Sequence, residues 1–155
     1  MLPSTDKIRD GKYYHELAKG DLYVAYARAC EDWQAEFSYG DLVTDCSMVY
    51  KGIRVHFEVD RATEPIEKLH DKIDKYIYYA PHTDKTIFVL DDGPKRLATT
   101  TGNLLHSYLV NRKRGRQFSW TKLAMLKTDP FGQWLFNSLL EQLSIDELCS
   151  TSKDS

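Results

Sequence analysis

Cysteine is scarce in this chain. Cys30, Cys46 and Cys149 are odd in number and far apart, which argues against a disulfide framework and for a reducing compartment. No Cys-x-x-Cys pair offers zinc ligands. No run of ~18 apolar residues exists, and the N-terminus lacks the apolar core of a signal peptide, so a cytoplasmic protein with no membrane partner is expected. Neither sign of charge dominates: 21 Lys and Arg stand against 23 Asp and Glu, a net charge of -2. Binding to a polyanion must then rest on a local basic patch, not on the field of the whole molecule. The eight glycines form no Gly-x-Gly-x-x-Gly, no phosphate loop ending in Gly-Lys-Ser/Thr and no Gly-x-Ser-x-Gly elbow. A small-molecule enzyme of those classes therefore has nothing in its favour.

What is present is the material of one folded domain. At 155 residues, with 42% apolar and 28% charged residues, the chain can bury a single core. Residues 1–12 read as a flexible lead, 13–143 as the domain and 144–155 as a polar tail. The organising stretch runs from Asp45 to Tyr79. Leu42 to Tyr50 is rich in β-formers, and Lys51-Gly52 reads as a hairpin turn. Ile53 to Asp60 then alternates strictly, which puts Ile53, Val55, Phe57 and Val59 on one face and Arg54, His56, Glu58 and Asp60 on the other. Such a polar face suits an exposed edge strand, and it suits a cleft if a helix covers it. A helix does follow. Thr63-Glu64-Pro65 reads as its start with Thr63 as N-cap, and Ile66, Leu69, Ile73 and Ile77 mark an apolar stripe, with Lys68, Lys72 and Tyr76 on a neighbouring face.

On either side of this stretch the pattern continues as α and β. Asp21 caps a helix reaching to about Asp32 after an interruption at Gly20, Trp33 to Phe37 is a short strand, and Lys85 to Leu90 is a buried strand placed for a parallel crossover. Lys95 to Val110 is helical, Phe118 to Met125 a strand, and Gln133 to Leu143 a closing amphipathic helix. His15-Glu16 opens a zinc-protease pattern but Lys19 stands where the second histidine belongs, so His15 is assigned to packing. Arg112, Lys113, Arg114 and Arg116 form the single concentrated basic patch, suited either to phosphate contact or to a solvated helix end.

The order αβββαβ, with Asp45 on the second strand and Glu58-Val59-Asp60 ending the third, resembles the core of the restriction-endonuclease-like PD-(D/E)XK superfamily. More narrowly, His15 to Ala18, Trp33 to Glu36, Asp45, Phe57-Glu58-Val59-Asp60-Arg61-Ala62-Thr63-Glu64 and Lys72-x-x-x-Tyr76 are similar to the C-terminal domain of the replication-relaxation proteins of bacterial plasmids and mobile elements. The resemblance implies an α/β fold with a mixed central sheet flanked by helices, extended here by a helix, a strand and a helix. It also implies a DNA-associated role in replication, relaxation or mobilisation for a plasmid, phage or integrative element, with DNA and replication or mobilisation proteins as partners and a homodimer as a compatible assembly.

Two functions are compatible with these features. In the first the protein is a Mg²⁺- or Mn²⁺-dependent DNA endonuclease. Carboxylates at i and i+2 of a strand point the same way about 7 Å apart, and one from the adjacent strand can join them; hard oxygen donors of this kind suit such ions. Asp45, Glu58 and Asp60 are the expected ligands, with Glu36 a weaker fourth. The superfamily's lysine position is taken by Asp60, which also suits a cap on the turn before Arg61; Lys68 or Lys72 could replace the lysine from the helix, Lys68 suiting equally an ion pair with Glu64 and Lys72 being accompanied by Tyr76. In the second function the fold is catalytically silent and serves as a DNA- or protein-binding scaffold, with Tyr76, Tyr78, Tyr79 and Trp134 as interface aromatics.

Overall fold

A computed structural model of the chain describes the backbone of residues 3–150 and the side chains of residues 13–150. The first helix, α1 (Pro3–Tyr26), is continuous. It takes in residues 3–12 of the expected lead and passes through Gly20 without a break, because that glycine faces open space and a single helical glycine costs only about 1 kcal/mol relative to alanine. Ala18, Leu22 and Tyr26 recur at four-residue spacing and bury one face of the helix.

Among the described residues nine strands follow, interleaved with helices: β1 (Glu31–Gln34), β2 (Phe37–Tyr39), β3 (Leu42–Thr44), β4 (Cys46–Tyr50), β5 (Ile53–Asp60), α2 (Ile66–Tyr79), β6 (Lys85–Leu90), α3 (Ala98–Leu109), β7 (Phe118–Lys122), α4 (Leu123–Thr128), β8 (Leu135–Asn137), β9 (Gln142–Leu143) and α5 (Ile145–Ser150). Seven strands form one mixed sheet in the order β1-β4-β5-β6-β7-β8-β9, while β2 and β3 pair apart from it. The central pairs β5/β6 and β6/β7 are parallel and the flanking pairs antiparallel. This is the expected α/β architecture, a mixed sheet flanked by helices, and the run α1-β1-β4-β5-α2-β6 is consistent with a restriction-endonuclease-like core.

Both faces of β5 are covered. Val55, Phe57 and Val59 join α1, α4 and α5 in one apolar layer, and the residues between them lie under α2 and α3, whose Leu69, Ile73, Leu105 and Leu109 build the second. His56, Glu58 and Asp60 are therefore buried, at 0%, 6% and 9% exposure. The edge-strand reading of this polar face gives way because β5 is the third strand of seven and α2 packs across it.

Several element boundaries differ from the sequence expectations. The strand expected from Leu42 to Tyr50 is two, broken at Asp45, because β3 leaves the sheet to pair with β2. The strand starting at Phe118 turns helical at Leu123. In place of the closing helix expected over Gln133 to Leu143, the chain forms the β8–β9 hairpin. Asn137 Oδ1 accepts from the amides of Leu139 and Glu141, both at 2.9 Å, Leu140 takes a positive φ, and the Phe136 ring stacks on Trp120 of β7 with centroids 4.6 Å apart. The tail folds into α5 as far as Ser150, and residues 151–155 lie outside the described residues. No helix among the described residues is long and apolar enough to cross a membrane.

The loops after β5 and β6 touch where a side chain would not fit. A Cβ on Gly93 would lie 1.5 Å from the Arg61 carbonyl oxygen, and Asp91 N donates to Asp60 O at 2.9 Å. Gly93→Ala is expected to separate these loops and to cost ~2 kcal/mol or more. A urea titration reads this as a lower midpoint, and an unchanged midpoint would refute the contact.

Candidate functional site

The carboxyl end of β5 gathers ionisable side chains from four elements. Asp45, in the break between β3 and β4, folds over the end of β5: its Oδ2 accepts from the Val59 amide at 2.7 Å, and its Oδ1 pairs with His15 Nε2 of α1 at 2.9 Å. Glu58 projects from β5 beneath α2. Its Oε2 accepts from the Asp45 amide at 3.3 Å and from the Tyr76 hydroxyl of α2, and its Oε1 lies 3.6 Å from Lys72 Nζ. Lys72 also donates to the Val43 carbonyl at 2.5 Å, which fixes its ammonium at the rim of the buried glutamate.

These contacts explain the electrostatics. Burial and then the nearby Asp45 charge push the Glu58 carboxyl up to about 8, although Lys72 and the hydrogen bonds pull the other way. The Tyr76 hydroxyl is raised well above its ordinary value, first by burial and then by the Glu58 charge. His15 is raised chiefly by its bond to Asp45. The structure thus brings Asp45, Glu58 and Lys72 together, the lysine arriving from the helix and not from the strand.

Asp60 has a different environment. Its Oδ2 accepts from the Ala62 amide at 3.1 Å in a tight turn where Ala62 adopts a positive φ, and Arg96 Nη2 stands 3.9 Å away. Burial raises its carboxyl, opposed by the bond to the Ala62 amide and by Arg96. Lys68 and Glu36 are exposed. Among the described residues no group of three or more His, Cys, Asp or Glu side chains is arranged to hold a metal ion. The Asp45 and Glu58 pair is still chemically suited to Mg²⁺ or Mn²⁺, which are often held by only one or two carboxylates together with waters and substrate phosphate. A glutamate that burial and a like charge keep protonated gains from a cation beside it.

Residues assigned to packing or left aside in the sequence complete the cluster. His15 and Tyr14 sit side by side on α1, the first on Asp45 and the second donating its hydroxyl to Asp91 after β6 while Arg61 covers its ring at 4.6 Å. Only the path of α1 across the sheet creates these contacts, and no spacing in the sequence signals them. Tyr76 does carry a signal, its position one turn after Lys72. Deeper along β5, His56 Nε2 and the Tyr39 hydroxyl both reach Asp84 Oδ2 at 2.7 Å, and Phe37, Tyr39 and Tyr76 surround the imidazole.

The basic loop lies at the other end of the sheet. The parallel strands run from it toward the carboxylates, so the length of β6, about 17 Å at the usual rise, separates the two. Its members differ in role. Arg114, at a positive φ of 70°, donates to the carbonyls of Ile77 at 2.5 Å and Ala80 at 2.6 Å and to Gln117 Oε1 at 2.5 Å, tying down the end of α2. Arg112 covers the Tyr108 ring at 3.9 Å, while Lys113 and Arg116 are exposed.

A family model described as replication-relaxation matches residues 4–88, more than half of the chain and all of the elements from the start of α1 into β6. No curated protein and no solved structure matches it.

The buried glutamate makes stability depend on pH. Because the folded state holds the Glu58 proton more tightly than an unfolded chain does, its contribution to stability is full below pH ~4.5 and is lost as pH rises toward 8. His15, raised in the fold, loses its contribution with rising pH as well but stays in place in a Glu58→Gln variant, so the difference between the two proteins isolates Glu58. Melting temperatures are expected to favour Glu58→Gln increasingly between pH 5 and pH 8, and a constant difference would refute the shifted carboxyl. In the basic loop, Arg114→Met is expected to cost ~2–3 kcal/mol by freeing the α2 carbonyls, whereas Arg116→Ala changes chemical stability by less than ~0.5 kcal/mol. Equal denaturation midpoints for the two variants would contradict this division of roles.

Proposed function

The chain belongs to the replication-relaxation family, and from that premise we propose that it acts on DNA in the replication or mobilisation of a mobile genetic element, by divalent-cation-dependent hydrolysis of a phosphodiester bond. The observation that carries this reading is the convergence of Asp45, Glu58 and the Lys72 ammonium, 3.6 Å from Glu58, at the carboxyl end of β5. Mg²⁺ or Mn²⁺ held by Asp45 and Glu58 would supply an acidified water and offset charge on the phosphoryl group. Lys72, anchored by the Val43 carbonyl, orients water or a phosphate oxygen with its remaining protons. His15 holds Asp45 and Tyr76 holds Glu58, so both carboxylates keep one orientation. Asp60 serves the turn after β5, through the Ala62 amide and Arg96.

A second reading draws on the same contacts. Both Asp45 oxygens and Glu58 Oε2 already have protein partners, and Glu58 is only 6% exposed, which suits a silent scaffold that keeps the polar cluster for stability. The two readings separate in one experiment. Mn²⁺ is titrated calorimetrically into wild type, Glu58→Gln and Lys72→Met, and each is incubated with supercoiled DNA. The enzyme reading expects Mn²⁺ binding lost in Glu58→Gln, and binding retained with nicking reduced roughly 10²-fold or more in Lys72→Met. A wild type that neither binds the ion nor nicks DNA overturns it and leaves the scaffold.

A further inference from the structure

The cleft at the amino ends of β6 and β7 encloses about 610 Å³ between the start of β6, the loop after α3 and the β8–β9 turn. Its lining includes Lys85, Arg112, Arg114 and Arg116 and not one Asp or Glu, in a protein whose acids outnumber its bases. Arg114 is committed to the carbonyls at the end of α2, so that helix C-terminus already has its cation. The other charges are not needed for that purpose.

Lys85 is the strongest indication of a ligand. It is only 6% exposed, it lines the cleft, and no described side chain or carbonyl accepts a hydrogen bond from its ammonium. Burial lowers its pKa, and the titratable group beside it is the Cys149 thiol, which burial pushes up to about 11 and so keeps neutral at physiological pH. The ammonium is not among the fully buried unpartnered groups, so its tip reaches solvent, and with no carboxylate beside it among the described residues it is favoured by an anion in the cleft. Arg116 is exposed and makes no ion pair among the described residues, and Arg112 presents its guanidinium from the Tyr108 ring. Leu109, Val110 and Leu139 supply an apolar wall on the same cleft.

We propose that this cleft binds a phosphomonoester attached to a nucleoside, with Lys85 and Arg116 on the phosphate and the apolar wall against the sugar and base. A phosphomonoester carries between one and two negative charges near neutral pH, enough for two or three cations, whereas a backbone phosphodiester carries one. The volume falls in the range of pockets for small organic ligands, ~300–1,000 Å³, and exceeds what a lone phosphate fills. The same chemistry comes from a free mononucleotide or from the 5′-phosphorylated end of a nucleic-acid strand. The cleft is a strand's length away from Asp45 and Glu58 and stands whether or not those residues catalyse hydrolysis.

The test measures fluorescence anisotropy of a labelled single-stranded decanucleotide bearing a 5′-phosphate or a 5′-hydroxyl, at fixed ionic strength and with EDTA present so that a divalent ion at the carboxylates contributes nothing. Deoxyadenosine monophosphate is titrated separately by calorimetry. The 5′-phosphate strand is expected to bind at least ~10-fold more tightly than the 5′-hydroxyl strand. Arg116→Ala, whose side chain is exposed, and Lys85→Met, checked for folding by circular dichroism, are each expected to remove most of that difference. Binding of the mononucleotide without preference between the strands supports the pocket and assigns it to free nucleotides. Equal affinity for the two strands with no mononucleotide binding, or binding that neither variant weakens, overturns the proposal.

Discussion

The fold is arranged around one buried carboxyl. Glu58 lies in the middle of the sheet with α2 above it, and removing it from water is tolerated because Tyr76, the Asp45 amide and Lys72 surround it. The partners come from two separate places in the chain, α2 and the break between β3 and β4. Tyr76 and Lys72 set how α2 lies on β5, and Asp45 pins the point where β3 departs from the sheet. The cost of burial is still visible in a carboxyl raised to about 8. A group of this kind, poised near neutrality beside a second carboxylate and a lysine, suits a cation or a proton as readily as it suits stability.

Two clusters of charged side chains lie at opposite ends of the parallel strands. Carboxylates and their His15 and Tyr14 partners occupy the carboxyl ends of β5 and β6, the position at which α/β sheets present their loops to ligands. Lys72, Arg61 and Arg96 stand among them, while the basic loop lies at the amino ends, where Asp84 is also buried. A molecule with a net charge of -2 thereby holds its carboxylate cluster and its basic loop at opposite ends of the parallel strands.

Strict period-2 alternation makes β5 legible from residue order alone, and the stripe of Leu69 and Ile73 does the same for α2; both are local patterns that packing has no reason to override. The hairpin at Leu135–Leu143 is illegible because its apolar residues fall at spacings that also fit a helix, and pairing with β7 and the Asn137 turn settles the matter. Asp45 stands out as a candidate ligand, yet its part in breaking the strand does not, since only the proximity of β5 offers its carboxylate the Val59 amide. Arg114 and Arg116 look alike in sequence, and the end of α2, far back along the chain, gives them different work.

Residue identity and the fixed periods of strand and helix are enough for the family, the α/β class, the alternating strand that carries Glu58 and the placing of Lys72 and Tyr76 on one helix face. Packing, by contrast, buries the polar face of β5, brings His15 to Asp45, turns Asp60 toward Ala62 and Arg96, and sets the basic loop at the opposite end of the sheet. Those outcomes depend on which elements lie against β5 and in which direction its neighbours run, and no local propensity encodes contacts between residues so far apart in the chain.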